Sequence, residues 1–212
     1  MNDLILGAEP RAGGRNRAAG LPERLRRETA ELHRKVEEMT DLPGSVSTRE
    51  DYEQLLTRLR EFHLAVEGLW DDTRWITRWA EVGIELASHR RAHLLGDDLA
   101  GLESRVAPRP AIMPSFGEFG EALGCLYVME GSSLGGRVLG PAFRAALGDV
   151  PTAFFDSDGR SHPSPWRSLT SALGRFENSS GDIDAVLHGA QETFLAFGQH
   201  LAPSGLPGTE AR

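Results

Sequence analysis

The sequence predicts an all-α, single-domain fold. Apolar residues recur at helical spacing in successive segments, and the chain shows neither a β-hairpin signature nor an internal repeat. A length of 212 residues with 40% hydrophobic residues suits one domain with a sizeable core. We expect the domain over residues 21–202, between a flexible leader (1–20) rich in Gly, Ala and Arg and a flexible tail (203–212).

Four helices are predicted in the first half of the chain. Pro22 suits the first position of a helix, and that helix should end near Thr40. Ser47 and Glu50 form a capping-box pattern that opens the second helix. Asp97 is placed to cap the short fourth helix. The expected ranges are about 22–40, 47–69, 75–95 and 97–106.

The second half begins after a proline-rich break at 108–114. Ser115 and Glu118 repeat the capping-box pattern, and the helix that they open should run through a glycine-rich segment to about Leu147. Residues 151–165 are predicted to be a long loop. Two helices, over about 166–176 and 183–201, complete the domain.

Composition excludes several classes of function. A formal net charge of −8, without an Arg/Lys run that alternates with aromatic residues, argues against nucleic acid as a partner. No apolar run approaches the roughly 20 residues that span a membrane, and no signal-peptide core occurs at the start. The single cysteine, Cys125, lies among apolar residues and is predicted to be a buried structural thiol. We expect a cytoplasmic protein without a membrane partner.

The first helix carries a histidine at the edge of its apolar stripe. On a 3.6-residue helix His33 faces inwards, and Glu37 lies one turn further along on the same side. A carboxylate at that position can accept the second imidazole N–H, as in many metal-ligating histidines. The same spacing is also typical of a satisfied core histidine or a helix-stabilising pair.

A second pair of histidines, His89 and His93, is also spaced one turn apart. Two arginines lie between them, so an exposed helix face is favoured over a metal site. A carboxylate-bridged di-metal bundle is disfavoured, because no histidine has a glutamate three residues before it.

The segment YVMEGSSLGGRVLG (127–140) combines helical periodicity with repeated glycine. Each glycine inside a helix costs roughly 0.8–1 kcal/mol relative to alanine. Positions 124, 128, 131 and 135 share one helix face, with Ser132 and Gly136 beside it, and Gly135-Gly136 is an expected kink site. Such a bare face suits either close packing of another helix or a flat ligand pressed against the backbone.

An inward histidine on one helix and a bare, bendable face on another are together what a planar metallo-macrocycle needs. The chain resembles the haem oxygenase family, particularly the bacterial biliverdin-producing branch found beside bacteriophytochromes. The resemblance covers most of residues 22–201 and is carried by LRRETAELHRKVEE (25–38), SFGEFGEALGCLYVMEGSSLGGRVLG (115–140), PWRSL (165–169) and GAQETFLAFGQHL (189–201).

The resemblance implies a haem sandwiched between the first helix and a kinked glycine-rich helix. His33 is then the proximal ligand to the haem iron, and Glu37 is its partner. Gly131, Gly135 and Gly136 form the distal helix above the ring, and Val128 on the same face contacts haem. Ser132 stands where well-known animal members carry an aspartate that organises water, so the proton-delivery network must differ from theirs.

Other residues are assigned by the same resemblance. Arg26 is the best match for a partner of the haem propionates, and Arg167 is a weaker one. Arg137 suits either the haem edge or ordinary surface. Phe194 falls where the family places an aromatic ring on the haem, although plain helix packing explains it nearly as well.

The implied activity is O₂-dependent opening of haem to biliverdin, with release of CO and ferrous iron. Haem is both cofactor and substrate, and O₂ is the co-substrate. Electrons come from an external donor of the ferredoxin or flavoprotein reductase type, and a bacteriophytochrome is an expected recipient of biliverdin. The alternatives are a haem carrier or sensor without turnover, and an all-α relative that holds another ligand.

Overall fold

The computed structural model describes residues 20–106, 109, 111–156 and 164–202, and these form an all-helical single domain, as predicted. The helices are α1 (Leu21–Thr40), α2 (Arg49–Trp70), α3 (Ile76–Glu81), α4 (Ala92–Gly101), α5 (Phe119–Leu147), α6 (Ala153–Asp156), α7 (Pro165–Asn178) and α8 (Ile183–Leu201), with a 3-10 helix at Leu86–His89 before α4. The predicted tail and all but the last residue of the predicted leader lie outside the described residues.

Helix α8 is the element on which α1 and α5 both pack. It packs along α5 and along α1, whereas α1 and α5 barely touch each other in the described part of the chain. A Cβ atom on Gly124 of α5 would lie 2.0 Å from the carbonyl oxygen of Val186, and one on Gly189 of α8 would lie 2.1 Å from that of Glu121. Helices α5 and α8 therefore meet backbone to backbone, and close helix packing is the explanation for the glycine at position 124.

Large apolar side chains fill the centre of the domain. Phe62 of α2 meets Phe197 of α8 edge to face, with ring centroids 5.1 Å apart. Cys125 is fully buried, as predicted, and burial raises the pKa of its thiol to about 12. None of the helices in the described residues is long and apolar enough to cross a membrane.

Helix α2 begins one residue later than the predicted capping box. Thr48, not Ser47, is the N-cap, and its hydroxyl accepts the Asp51 N–H at 3.1 Å. The Asp51 carboxylate in return accepts the N–H groups of Ser47 and Thr48. The later N-cap position is favoured because the Asp51 carboxylate satisfies two backbone N–H groups.

Helix α5 shows the same kind of shift. Its N-cap is Glu118 rather than Ser115, with Glu121 as the reciprocal partner. The Glu121 carboxylate accepts the N–H of Gly117 at 2.7 Å and that of Glu118 at 2.9 Å. The prediction that this helix continues through the glycine segment to Leu147 is confirmed.

The prediction of a single helix over about 75–95 is wrong, because the structure has α3, the 3-10 helix and the start of α4 there. Gly83 has a φ of 69°, a left-handed conformation that ends α3, and Arg175 of α7 donates to the carbonyl of Val82 at 2.7 Å. Asp97 lies inside α4 instead of capping a helix. The buried carboxylate of Glu67 takes the capping role, since it accepts the N–H groups of Arg91 and Ala92, both at 2.8 Å.

Part of the loop predicted over 151–165 is the short helix α6. The Asp98 carboxylate of α4 fixes its start by accepting the N–H groups of Ala153 at 2.7 Å and Phe154 at 2.9 Å. Helix α6 lies against α5, where a Cβ atom on Gly136 would be 3.4 Å from the ring of Phe155. Helix α6 thus backs the glycine segment; residues 157–163 of the predicted loop lie outside the described residues.

Candidate functional site

His33 projects from α1 into the interior. Its exposed fraction is only 8%, so the predicted inward orientation is confirmed. The ring of Phe194 on α8 meets the imidazole edge to face, with centroids 5.8 Å apart and planes at 69°. Phe194 is itself buried. The aromatic contact restricts the orientation of the imidazole plane on this wall of the site.

Glu37 lies beside His33 without forming the predicted hydrogen bond. Its Oε1 is 3.9 Å from His33 Nε2, which is longer than a hydrogen bond, and its side chain is partly exposed. The assignment of Glu37 as the partner that tunes His33 therefore stays a prediction.

The second element of the predicted site is the glycine segment of α5. Val128, Gly131 and Gly135 are buried there, while Ser132 and Ser133 are partly buried. The Ser132 and Ser133 hydroxyls donate to the carbonyl of Met129 at 2.8 and 3.0 Å. Each serine thus satisfies its proton within the helix and keeps its lone pairs for an external donor such as water. The kink predicted at Gly135-Gly136 stays a prediction.

Gly136 and Gly140 lie against helix α6. A Cβ atom on Gly136 would meet the ring of Phe155 at 3.4 Å, which is ordinary van der Waals contact. Further along, a Cβ atom on Gly140 would lie 2.9 Å from Asp156 Oδ1 and 3.1 Å from Phe155 Cβ. Packing against α6 therefore accounts for the glycine at position 140, whereas position 136 has room for a Cβ atom.

The arginines predicted to hold propionates are all at the surface. Arg26 is exposed and pairs with Glu23 on its own helix, with 2.7 Å between Nη2 and Oε1. Arg137 and Arg167 are also exposed. Their roles stay predictions.

The expectation that His89 lies on an exposed face is wrong. His89 is only 2% exposed, and its Nδ1 lies 2.8 Å from Oε1 of Glu130, which is also buried. His93 is exposed, as expected. The sequence signal for this pair is Glu130 itself, a carboxylate at the end of the apolar run LGCLYVM, which must find a partner when buried.

A second buried histidine, His63, is also not predicted from the sequence. Its ring meets Phe154 edge to face at 5.2 Å, and its Nδ1 is 3.9 Å from Glu67 Oε1. Burial, assisted by the positive charge of Arg91, lowers the pKa of His63 to about 3. Its spacing from Glu67 repeats that of His33 and Glu37, which is the signal that could have found it. In the described ranges, His, Cys, Asp and Glu do not form a group of three or more that could hold a metal ion.

The residues present fit haem. The buried imidazole on α1 would supply a nitrogen ligand for iron, and the glycine segment of α5 lacks the side chains that would obstruct a flat ring. Helices α1 and α5 both pack on α8 and scarcely contact each other in the described part of the chain, so a planar ligand held between them would not have to separate two packed helices.

Fold and candidate site together define an all-α protein with a buried histidine on its first helix and a glycine segment on α5, suited to a planar metallo-macrocycle. The sequence model of the family described as heme oxygenase matches residues 19–202. The chain therefore belongs to the haem oxygenase family.

A solved structure has the same fold. It is the NO- and CO-bound haem oxygenase from Neisseria meningitidis, which matches with a TM-score of 0.67 at 22% sequence identity, over 89% of this chain and 99% of that one. At this identity the match shows the fold alone. No curated protein sequence matches the chain significantly.

Proposed function

We propose that this protein is a haem-degrading monooxygenase that opens haem to biliverdin and releases CO and ferrous iron, using O₂ and electrons from an external donor. Membership of the haem oxygenase family supports haem degradation in general. The observation that carries the proposal is a buried histidine on α1 together with a glycine segment on α5, two helices that both pack on α8 and scarcely contact each other in the described residues.

The proposal assigns a role to each of these side chains. His33 supplies the imidazole that holds the iron, and Phe194 restrains its ring. Gly131 and Gly135 leave room above the plane of the substrate. Haem, as both cofactor and substrate, supplies the iron at which O₂ is activated. Ser132 keeps hydroxyl lone pairs available to hold a water but adds no charge, so proton delivery has to proceed without a carboxylate at this position.

The partners belong to the same proposal. A ferredoxin or a flavoprotein reductase would supply the electrons, and a bacteriophytochrome would receive biliverdin. We place the protein in the cytoplasm, where thiols such as Cys125 stay reduced.

A second function is favoured by one observation. The Ser132 hydroxyl proton is committed to the Met129 carbonyl, so this position presents neither a charge nor a free donor. A haem carrier or sensor would need His33 but not proton delivery.

Titration with hemin separates these functions. We expect the wild-type protein to form a Soret band that His33→Ala weakens or abolishes and that added imidazole restores in the variant. The exposed His93→Ala serves as the control for adventitious binding and should titrate like the wild type. Unfolding of each variant is followed in parallel, to separate loss of the ligand from loss of the fold.

Reductant in air is then added to the haem complex. Decay of the Soret band, growth of biliverdin absorption and release of CO are the expected results. A band that forms through His33 but survives reduction would favour the carrier or sensor. If the wild type forms no specific band, or if His33→Ala binds hemin unchanged, the proposed site is wrong.

A further inference from the structure

The buried pair of His89 and Glu130 joins the glycine segment to the rest of the domain. Glu130 immediately precedes Gly131, and its carboxylate is 2.8 Å from His89 Nδ1. The Glu130 side chain is 6% exposed, and the His89 side chain is fully buried. A hydrogen bond to a charged group that is removed from water contributes more than an ordinary surface contact. The connection therefore holds α5 to the 3-10 helix before α4.

The direction of Glu130 separates it from the predicted haem-facing side. With 3.6 residues per turn, Glu130 points about 100° away from Gly131 and about 140° away from Gly135 around the helix axis. It therefore restrains the glycine segment from the side that still has side chains.

A second connection starts from Arg91, at the beginning of α4. Its guanidinium is 4.8 Å above the ring of Phe154, and its Nη2 donates to the Phe154 carbonyl at 2.5 Å. Burial lowers the pKa of Arg91, and the negative charge of Glu130 counteracts this effect. The Glu130 carboxylate is therefore held by its hydrogen bond to His89, with the positive charge of Arg91 in its neighbourhood.

The residue after Phe154 in α6 contacts α5. Phe155 fills the space beside Gly136. The segment from 131 to 136 is consequently held just before its first glycine, through His89 and Glu130, and at its end, through Phe155. Arg91 links the two points.

We propose that His89–Glu130 and Arg91–Phe154 form a clamp behind α5 that positions the glycine segment 131–136 relative to haem bound between α1 and α5, with Glu130 as its central positioning residue. The reference to haem rests on the proposed function, whereas the clamp itself is a property of the protein alone. Glycines lack side chains that could fix the height of the helix backbone above a ring. The clamp supplies that restraint from the opposite side.

Hydrogen exchange of the protein without haem tests the clamp. In Glu130→Ala the amides of 131–136 should exchange about tenfold faster or more, the factor that corresponds to losing a hydrogen bond to a charged group. Glu130→Gln keeps the volume and an acceptor for His89 but loses the charge, so it should show a smaller increase. The Glu130→Gln variant also tests the clamp if Glu130→Ala does not fold.

The matched control is Glu61→Gln. Glu61 is a buried carboxylate whose Oε2 lies 3.3 Å from Nε2 of His200, and this pair joins α2 to α8 instead of α5. It should leave exchange in 131–136 unchanged. Equal exchange in this segment for the Glu130 variants and Glu61→Gln would overturn the clamp.

The haem complex gives the second readout. Glu130→Gln should bind hemin within about twofold of the wild type, because it does not touch the ligand, yet shift the C–O stretching frequency of the CO adduct and the ratio of biliverdin isomers. Partial unfolding lowers the yield but does not change that ratio. Unchanged frequency and ratio would overturn the positioning role. If the wild type binds no hemin, the proposed function fails, and exchange in the haem-free protein still decides the clamp.

Discussion

His63 makes the free energy of unfolding depend on pH in a window that can be calculated. The imidazole is 2% exposed, and burial together with Arg91 lowers its pKa to about 3 in the folded protein. In the unfolded chain an ordinary histidine pKa of about 6.5 applies. Below pH 6.5 the unfolded state therefore takes up a proton that the folded state refuses, so stability is lost as the pH falls towards 3.

The size of the effect follows from these two values. Between pH 7 and pH 5 the protonation of one histidine in the unfolded state alone costs the folded state about 2 kcal/mol. The result depends only on the folded pKa lying well below 5. It is a substantial part of the 5–15 kcal/mol by which domains are commonly stable.

Urea unfolding at a series of pH values measures this loss for the wild type and for His63→Gln. The glutamine does not titrate, so the variant should lose about 2 kcal/mol less than the wild type between pH 7 and pH 5, whatever its stability at pH 7. The exposed His93→Gln is the matched control and should follow the wild-type curve. Parallel curves for the wild type and His63→Gln, within about 0.5 kcal/mol, would show that His63 accepts a proton inside the fold and would refute the reasoning.

Further predictions concern the glycines and the thiol. Gly124→Ala should cost about 3 kcal/mol or more in urea unfolding, because its Cβ atom would lie 2.0 Å from the Val186 carbonyl oxygen. Gly68→Ala, on an exposed part of α2 with nothing within 4 Å, should instead gain about 0.5–1 kcal/mol; equal effects would contradict the packing at Gly124. Cys125 should not react with a disulfide reagent at about pH 8 unless denaturant is added, since its thiol is buried and its pKa is raised to about 12. Rapid reaction of the native protein would contradict this burial.

The sequence predicts those parts of the fold that local chemistry determines. The helix over Ile183–Leu201 is confirmed with the bounds that its apolar spacing indicates, and α1 ends at Thr40 as expected. The capping boxes are each misplaced because overlapping motifs offer two registers. The choice between them depends on how many backbone donors one carboxylate can reach, as Asp51 and Glu121 show.

The parts of the site that escape prediction depend on partners distant in sequence. His89 meets a carboxylate 41 residues away, and nothing in its own neighbourhood indicates burial. Phe155 reaches Gly136 from a helix that exists because Asp98 of α4 caps its start. His33 and the glycine segment were predictable for the opposite reason, since an inward histidine and a helix without side chains are each visible in helical spacing.

Helices α5 and α1 are attached to α8 in different ways. Helix α5 meets α8 through backbone atoms at Gly124 and Gly189, with no side chain between them that could rearrange. Helix α1 meets α8 at Gly198 through the side chains of Val36 and Met39, which can change rotamer. Helix α5 is therefore attached to α8 more rigidly than α1 is, so we expect a change in the distance between α1 and α5 to come mainly from α1, the helix that carries His33.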